Sequence, residues 1–140
     1  MKVRLKQIDG LAMAAAGDSN HWVAMDGPEQ YGGFMAGTRP MELILMGVAG
    51  CSAMDIVSIL RKMRVALTDC SVEAEAKQAE EHPKVFTEIH LRYKFTGNNL
   101  QPKDLEKAIE LTESKYCGAT AMLSKAATIA HSYEIVNGDT

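Results

Sequence analysis

Residues 40–64, PMELILMGVAGCSAMDIVSILRKMR, decide the fold, and the surrounding chain reads as cover for them. The stretch predicts one helix. Pro40 suits an opening turn because its φ is fixed and its missing N–H is not needed there, and no proline follows until Pro83. Arg61, Lys62 and Arg64 close the segment, where cations complement the negative end of the helix dipole. Between these ends Leu43, Ile44, Leu45, Met46, Val48, Ala49, Ala53, Met54, Ile56, Val57, Ile59 and Leu60 leave almost no polar face. Such a helix must be buried on nearly all sides. A membrane span is the rival reading. Asp55, Ser52 and Ser58 oppose it, since one carboxylate at the bilayer centre costs about 3 kcal/mol. Burial by protein is the better account. A domain this small has one sheet to cover one face of the helix, so the other face points to a second subunit.

Upstream, Val3 and Leu5 alternate with Lys2, Arg4 and Lys6 in a half-solvated strand that turns at Asp9-Gly10. Leu11 to Ala16 and His21 to Met25 follow as two further short strands. Asp26 to Arg39, DGPEQYGGFMAGTR, holds four glycines and a proline and reads as a mobile loop carrying Tyr31, Phe34 and Met35, which serves as a lid, as a dimer-crossing arm or as simple slack. Downstream, Ala66 to Lys77 reads as a strand with Cys70, Val72, Ala74 and Ala76 on one face and Ser71, Glu73, Glu75 and Lys77 on the other. Val85 to Thr96 is its antiparallel partner, with His90 on the solvated face. Pro102 opens an amphipathic helix through Leu105, Ala108, Ile109 and Leu111. Ala119 to Ala126 reads as a short helix and Thr128 to Val136 as a closing strand. The whole predicts a single α+β domain over residues 1–140, with antiparallel sheets packed on a long, buried central helix.

A length of 140 residues supports one domain with a real core. The formal charge of −3, with acids and bases interspersed, offers no basic patch and argues against nucleic acid as a partner. The opening MKVRLKQIDG lacks an uninterrupted apolar core, so no signal peptide is expected and the protein is placed in the cytoplasm. Three cysteines without a CxxC, and His21, His82, His90 and His131 without ligand spacing, make neither a disulfide framework nor a zinc site; no metal or cofactor is expected.

In a reducing compartment the thiols are either packed or chemical. Cys70 lies on the apolar face of its strand and reads as packing. Cys51 stands mid-helix among Gly47, Ala49, Gly50, Ser52 and Ala53, small neighbours that leave a reactant room to approach; a buried free cysteine is the plain alternative. Cys117 falls at or near a helix start, where unpaired amides favour a thiolate. Two such thiols, if they meet, suit two-cysteine peroxide reduction. The first attacks a peroxide oxygen, the sulfenic acid condenses with the second, and a dithiol restores the pair.

The residues Pro40-Met41-Glu42-Leu43, the run from Gly47 to Ala53 around Cys51, and Tyr116-Cys117 downstream resemble the OsmC/Ohr family of osmotically inducible and organic hydroperoxide resistance proteins. The branch most similar carries a P-M-E motif and G-C-S-A. The resemblance extends over nearly the whole chain and implies an intertwined homodimer with the central helices side by side and two active sites at the interface. It implies Cys51 as the peroxidatic and Cys117 as the resolving residue, with no cofactor, and a dithiol of lipoyl type or a small thiol as reductant. Family members with peroxidase chemistry carry a glutamate directly after the proline and an arginine in the N-terminal sheet. Here Met41 takes the first place and Glu42 stands one step later, and no arginine lies between Arg4 and Arg39. Arg39 then becomes the candidate cation and Glu42 the candidate carboxylate, though Glu42 reads equally as an ordinary first-turn residue satisfying the helix dipole.

The sequence thus leads to a dimeric, cytoplasmic thiol peroxidase for organic hydroperoxides. A binding or sensing protein for an apolar ligand on the same scaffold is the second reading, motivated by the displaced glutamate and the missing arginine. Acyl transfer at Cys51 lacks a base, since no histidine stands near it in sequence. Asp55, one helical turn from Cys51, would oppose a thiolate unless paired with a cation.

Overall fold

The computed structural model describes residues 1–138, and the chain falls into two compact units, Met1–Ile44 and Leu45–Thr140. In the first, β1 (Arg4–Asp9), β2 (Ala12–Ala16) and β3 (Trp22–Met25) form an antiparallel sheet in the order β1-β2-β3. Register explains the one cation–π contact in it. Arg4 lies opposite Ala16, and Ala16 opposite Trp22, so the Arg4 guanidinium reaches across the middle strand to the indole at 5.1 Å. Many apolar side chains of this sheet are open to solvent, among them Leu5, Ile8 and Trp22.

The loop after β3 is more ordered than its glycines predict. Met25 bridges to Thr38, and the buried Asp26 carboxylate accepts the N–H groups of Gly27 (2.7 Å), Phe34 (2.9 Å) and Ala36 (3.1 Å). A side chain at Gly33 would sit 2.0 Å from the Gly27 carbonyl oxygen, so this glycine serves close backbone approach. The reading of this segment from its glycines alone leaves out a carboxylate hub. The Ala36 amide foremost, then those of Phe34 and Gly27, holds the Asp26 carboxyl below its ordinary range against the opposing effect of burial. A lowered folded value means that this stabilisation is fully present above the ordinary carboxylate range and is lost as pH falls through the folded value. Asp26→Ala is therefore expected to lower the melting temperature at neutral pH and to flatten its acid dependence below about pH 4. Parallel melting curves for the two proteins down to acid pH would refute this.

Helix α1, Pro40–Lys62, begins in the first unit and continues through the second. Beyond it come β4 (Leu67–Gln78), β5 (Phe86–Gly97), α2 (Pro102–Leu111), a π turn over Thr112–Tyr116, α3 (Gly118–Leu123) and β6 (Thr128–Asn137). The second sheet has the order β4-β5-β6, and β4 pairs antiparallel with β5 as expected. β6 corrects the expectation of antiparallel sheets, for it runs parallel to β5. The intervening α2 and α3 form the long crossover that a parallel neighbour requires. His90 also departs from the solvated reading: it is half-buried, and its Nε2 lies 2.9 Å from Ser132 Oγ across this parallel pair.

β5 is the centre of this sheet and supplies much of the core. Ile89, Leu91, Tyr93 and Phe95 alternate onto one face and cluster with Val48, Ile56 and Leu60 of α1 and Leu105, Ala108 and Ile109 of α2. Each such aliphatic side chain withdrawn from water contributes about 1.5–3 kcal/mol. Cys70 packs against this cluster with Val72, Ala74 and Ala76, in keeping with its reading as a core residue, and burial pushes its thiol up to about 11.

Only one stripe of α1 is buried in this chain, namely Val48, Ser52, Ile56 and Leu60, which recur every fourth residue. The expectation of burial on nearly all sides is therefore unmet within one chain; Met46, Met54 and Val57 remain exposed. By length and composition α1 could cross a membrane, yet its buried stripe lies in a protein core. Ser52 occupies an otherwise apolar stripe because its hydroxyl bonds the Tyr93 hydroxyl, both fully buried. Burial first, against the opposing Ser52 bond, pushes the Tyr93 phenol up to about 12. Ser52→Ala strands that phenol and is expected to cost about 1–3 kcal/mol in denaturant melts. Ser52→Ala/Tyr93→Phe should recover about 1 kcal/mol or more of that loss, and strictly additive single effects would refute the coupling.

Candidate functional site

Cys51 and Asp55 are one turn apart on α1, and Cys117 opens α3. The sequence alone leaves open whether the two thiols meet, and the structure brings them together. The Cys51 Sγ, the Cys117 Sγ and an Asp55 carboxylate oxygen all lie within 4.8 Å of one another. The connection that achieves this is the π turn, in which the Cys117 N–H donates to the Thr112 carbonyl at 2.8 Å, five residues back. Such a wide turn shifts the chain against the preceding helix and so aims the next residue toward α1.

Cys117 is almost fully buried and acts as the N-cap of α3. Its sulfur accepts the Thr120 hydroxyl at 3.1 Å and the Thr120 N–H at 3.4 Å. Cys51 is half-buried and receives the Ala119 N–H, which favours its thiolate. That donor is outweighed. Burial first, then the hydrogen bond that the Cys51 S–H donates to the Cys117 sulfur, with the Cys117 and Asp55 charges adding, raise the Cys51 thiol above its ordinary value. The opposition expected from Asp55 is present, though burial is the larger cause.

The other two predicted site residues, Arg39 and Glu42, belong to the first unit. Both are exposed, and the Glu42 carboxylate accepts the Arg39 N–H at 3.0 Å. This is half of a capping box, with Arg39 as N-cap and Glu42 three residues on, so Glu42 has a structural task at the start of α1. Gly47, one turn before Cys51, has open space where a side chain would stand, consistent with the expected access around Cys51.

Ala119, Thr120 and Ser52 were not singled out by sequence. Thr120 carried a legible signal, since a threonine three residues after a helix-opening Cys117 places donors at that sulfur. Ser52 was legible only with the buried-stripe register in hand. Beside Asp55 a groove of about 310 Å³ runs between α1 and α2, lined by Ile59, Lys62, Met63, Lys107, Leu111 and Tyr116 among others. Larger hollows of about 620 and 530 Å³ lie against β5 and β6 and carry no thiol, so volume alone would mislocate the chemistry. The chemistry available at the pair is two-electron thiol chemistry: attack by a sulfur, then closure of a disulfide. The same three side chains are the group that could hold a metal ion among the described residues.

The family model described as OsmC-like protein matches residues 32–132. Protein YhfA of Escherichia coli K12 is 41% identical over 136 residues, covering 97% of this chain and 98% of its own length. A solved hypothetical protein from Aquifex aeolicus superposes with a TM-score of 0.86 at 27% identity, covering 99% of this chain and 97% of its own. An organic hydroperoxide resistance protein OsmC from Legionella pneumophila shares the fold, with a TM-score of 0.68 at 17% identity over 96% of this chain and 97% of its own.

Proposed function

The chain belongs to the OsmC-like protein family, and from that premise we propose that it is a cysteine-based peroxidase reducing organic hydroperoxides in the cytoplasm, working as a homodimer without a cofactor. One observation carries the proposal: two thiols 66 residues apart in sequence stand within 4.8 Å of each other, the outer one half-open and the inner one held by hydrogen-bond donors. The Cys51 thiolate attacks the terminal peroxide oxygen, the O–O bond breaks, and the alkoxide leaves with a proton as alcohol. Cys51 is now a sulfenic acid. The Cys117 sulfur attacks it, the S–S bond forms, and water departs. A dithiol reductant then restores both thiols by exchange and becomes a disulfide itself.

Arg39 and Glu42 complete the proposed residue set, Arg39 as the cation favouring the Cys51 thiolate and Glu42 as its carboxylate partner, standing in for the family's sheet arginine and the glutamate directly after the proline, which this chain lacks. The test is consumption of cumene hydroperoxide by reduced protein supplied with dihydrolipoamide. Turnover that falls about tenfold in Arg39→Ala fits the assignment. No turnover with either dihydrolipoamide or a monothiol sinks the proposal. The raised Cys51 thiol favours one other reading, a binding protein whose groove beside Asp55 takes an apolar ligand. Thiols that stay reduced under excess hydroperoxide, together with a co-purifying ligand, would select it.

A further inference from the structure

We infer that Cys51, Cys117 and Asp55 form a binding site for a thiophilic divalent cation such as Zn²⁺, and that the bound ion and a Cys51–Cys117 disulfide exclude each other. The donor set is soft and compact. Two thiolates and a carboxylate at ordinary zinc distances stand about 3.6–3.8 Å apart around a tetrahedral ion. The three ligand atoms here lie within 4.8 Å of one another, so side-chain adjustments of about 1 Å or less close the site. The supports are unequal in a useful way. Cys117 is anchored by Thr120 at the start of α3, whereas Cys51 and Asp55 share one turn of α1, the i, i+4 spacing that places two ligands on one helix face. Three protein ligands leave the fourth position to water, and the half-open side of Cys51 supplies the path.

Charge also fits. Two thiolates and a carboxylate would place three negative charges within 4.8 Å of one another, and a dication offsets that repulsion while the thiols release two protons on binding. This inference stands independently of peroxidase activity. Joining the two sulfurs takes two electrons and two protons from the thiols, which the diazene oxidant diamide accepts as it becomes a hydrazine. Two of the three ligands are then consumed, so the ion must leave.

The experiment uses the full-length, chelator-stripped, reduced protein with Zn²⁺ or Co²⁺ alone. One equivalent per chain is expected, with a thiolate-to-cobalt charge-transfer band. Affinity should fall about a hundredfold in Cys117→Ser and about tenfold in Asp55→Asn, and stay unchanged in Cys70→Ser. Zn²⁺ should also slow alkylation of Cys51 by iodoacetamide in the unaltered protein, a readout that depends on no variant's folding. Diamide should release the ion in step with disulfide formation. Absence of the charge-transfer band, equal affinity in Asp55→Asn, unprotected Cys51, or an ion retained after the disulfide has formed would each overturn the assignment.

Discussion

Cys51→Ser is expected to lower hydroperoxide turnover by more than about a thousandfold, because a hydroxyl with a far higher pKa cannot replace a thiolate as the nucleophile. Cys117→Ser should behave differently. Cys51 is still present, so one equivalent of hydroperoxide reacts and the sulfenic acid persists long enough to be trapped by dimedone. Steady-state turnover with a dithiol then falls, since the rapid intramolecular closure is gone. Cys70→Ser leaves both stages intact, its sulfur being packed with the β4 apolar face. If Cys51→Ser keeps full turnover, or if Cys117→Ser yields no trappable sulfenic acid, the order of attack assigned to the pair is wrong.

The raised Cys51 thiol sets the pH dependence of that reaction. The reactive form is the thiolate, and a pKa above the ordinary thiol range leaves it a minor species at neutral pH. In metal-free protein the second-order rate constant should therefore climb about tenfold per pH unit from pH 7 upward, levelling only above the thiol pKa. Asp55→Asn removes a charge that disfavours the thiolate and should raise the rate at pH 7. A flat profile between about pH 7 and pH 9 would mean that Cys51 is already ionised, and that a cation steadies it in the working protein.

How much of this was legible beforehand depends on the range of the interactions involved. The helix from Pro40 to Lys62 and the strands β4 and β5 follow from local periodicity and were placed within about two residues. What sequence could not supply were relations between distant elements. The parallel direction of β6 depends on where the crossover through α2 and α3 delivers the chain, and nothing in TIAHSYEIVN encodes that. The loop from Asp26 looked slack because glycines are read as freedom, whereas Gly33 is there to let the backbone close around a carboxylate. The character of each cysteine's surroundings suggests the thiol pair, yet that the two meet depends on where α2 and the π turn at Thr112–Tyr116 deliver Cys117, a relation between elements distant in sequence. Glu42, by contrast, proved to have a capping task that its position three residues after Arg39 already advertised.

Met54→Asp is expected to convert the proposed homodimer to monomers. Along α1 the buried stripe leaves Met46, Gly50 and Met54 on the opposite face, spaced four residues apart, with Met54 75% exposed in the single chain. Large apolar side chains beside a glycine with open space above it suit close approach by a second helix, and a two-fold contact would bring each stripe against its copy. An unpaired charge buried in such a contact costs about 3–5 kcal/mol, and the symmetry introduces two of them at once. Even about 6 kcal/mol weakens dimerisation by about four orders of magnitude. Sedimentation velocity at micromolar concentration should then show a dimer for the unaltered protein and a monomer for Met54→Asp, with far-ultraviolet circular dichroism confirming that the variant is folded. Gly50→Ala sharpens the test because its two outcomes differ in sign. On a free helix surface it stabilises by about 0.5–1 kcal/mol, whereas against a partner helix the added methyl group collides and the dimer weakens. The proposed arrangement requires the second result, and a stabilised Gly50→Ala protein, or an unaltered chain that sediments as a monomer, would leave this face without a partner.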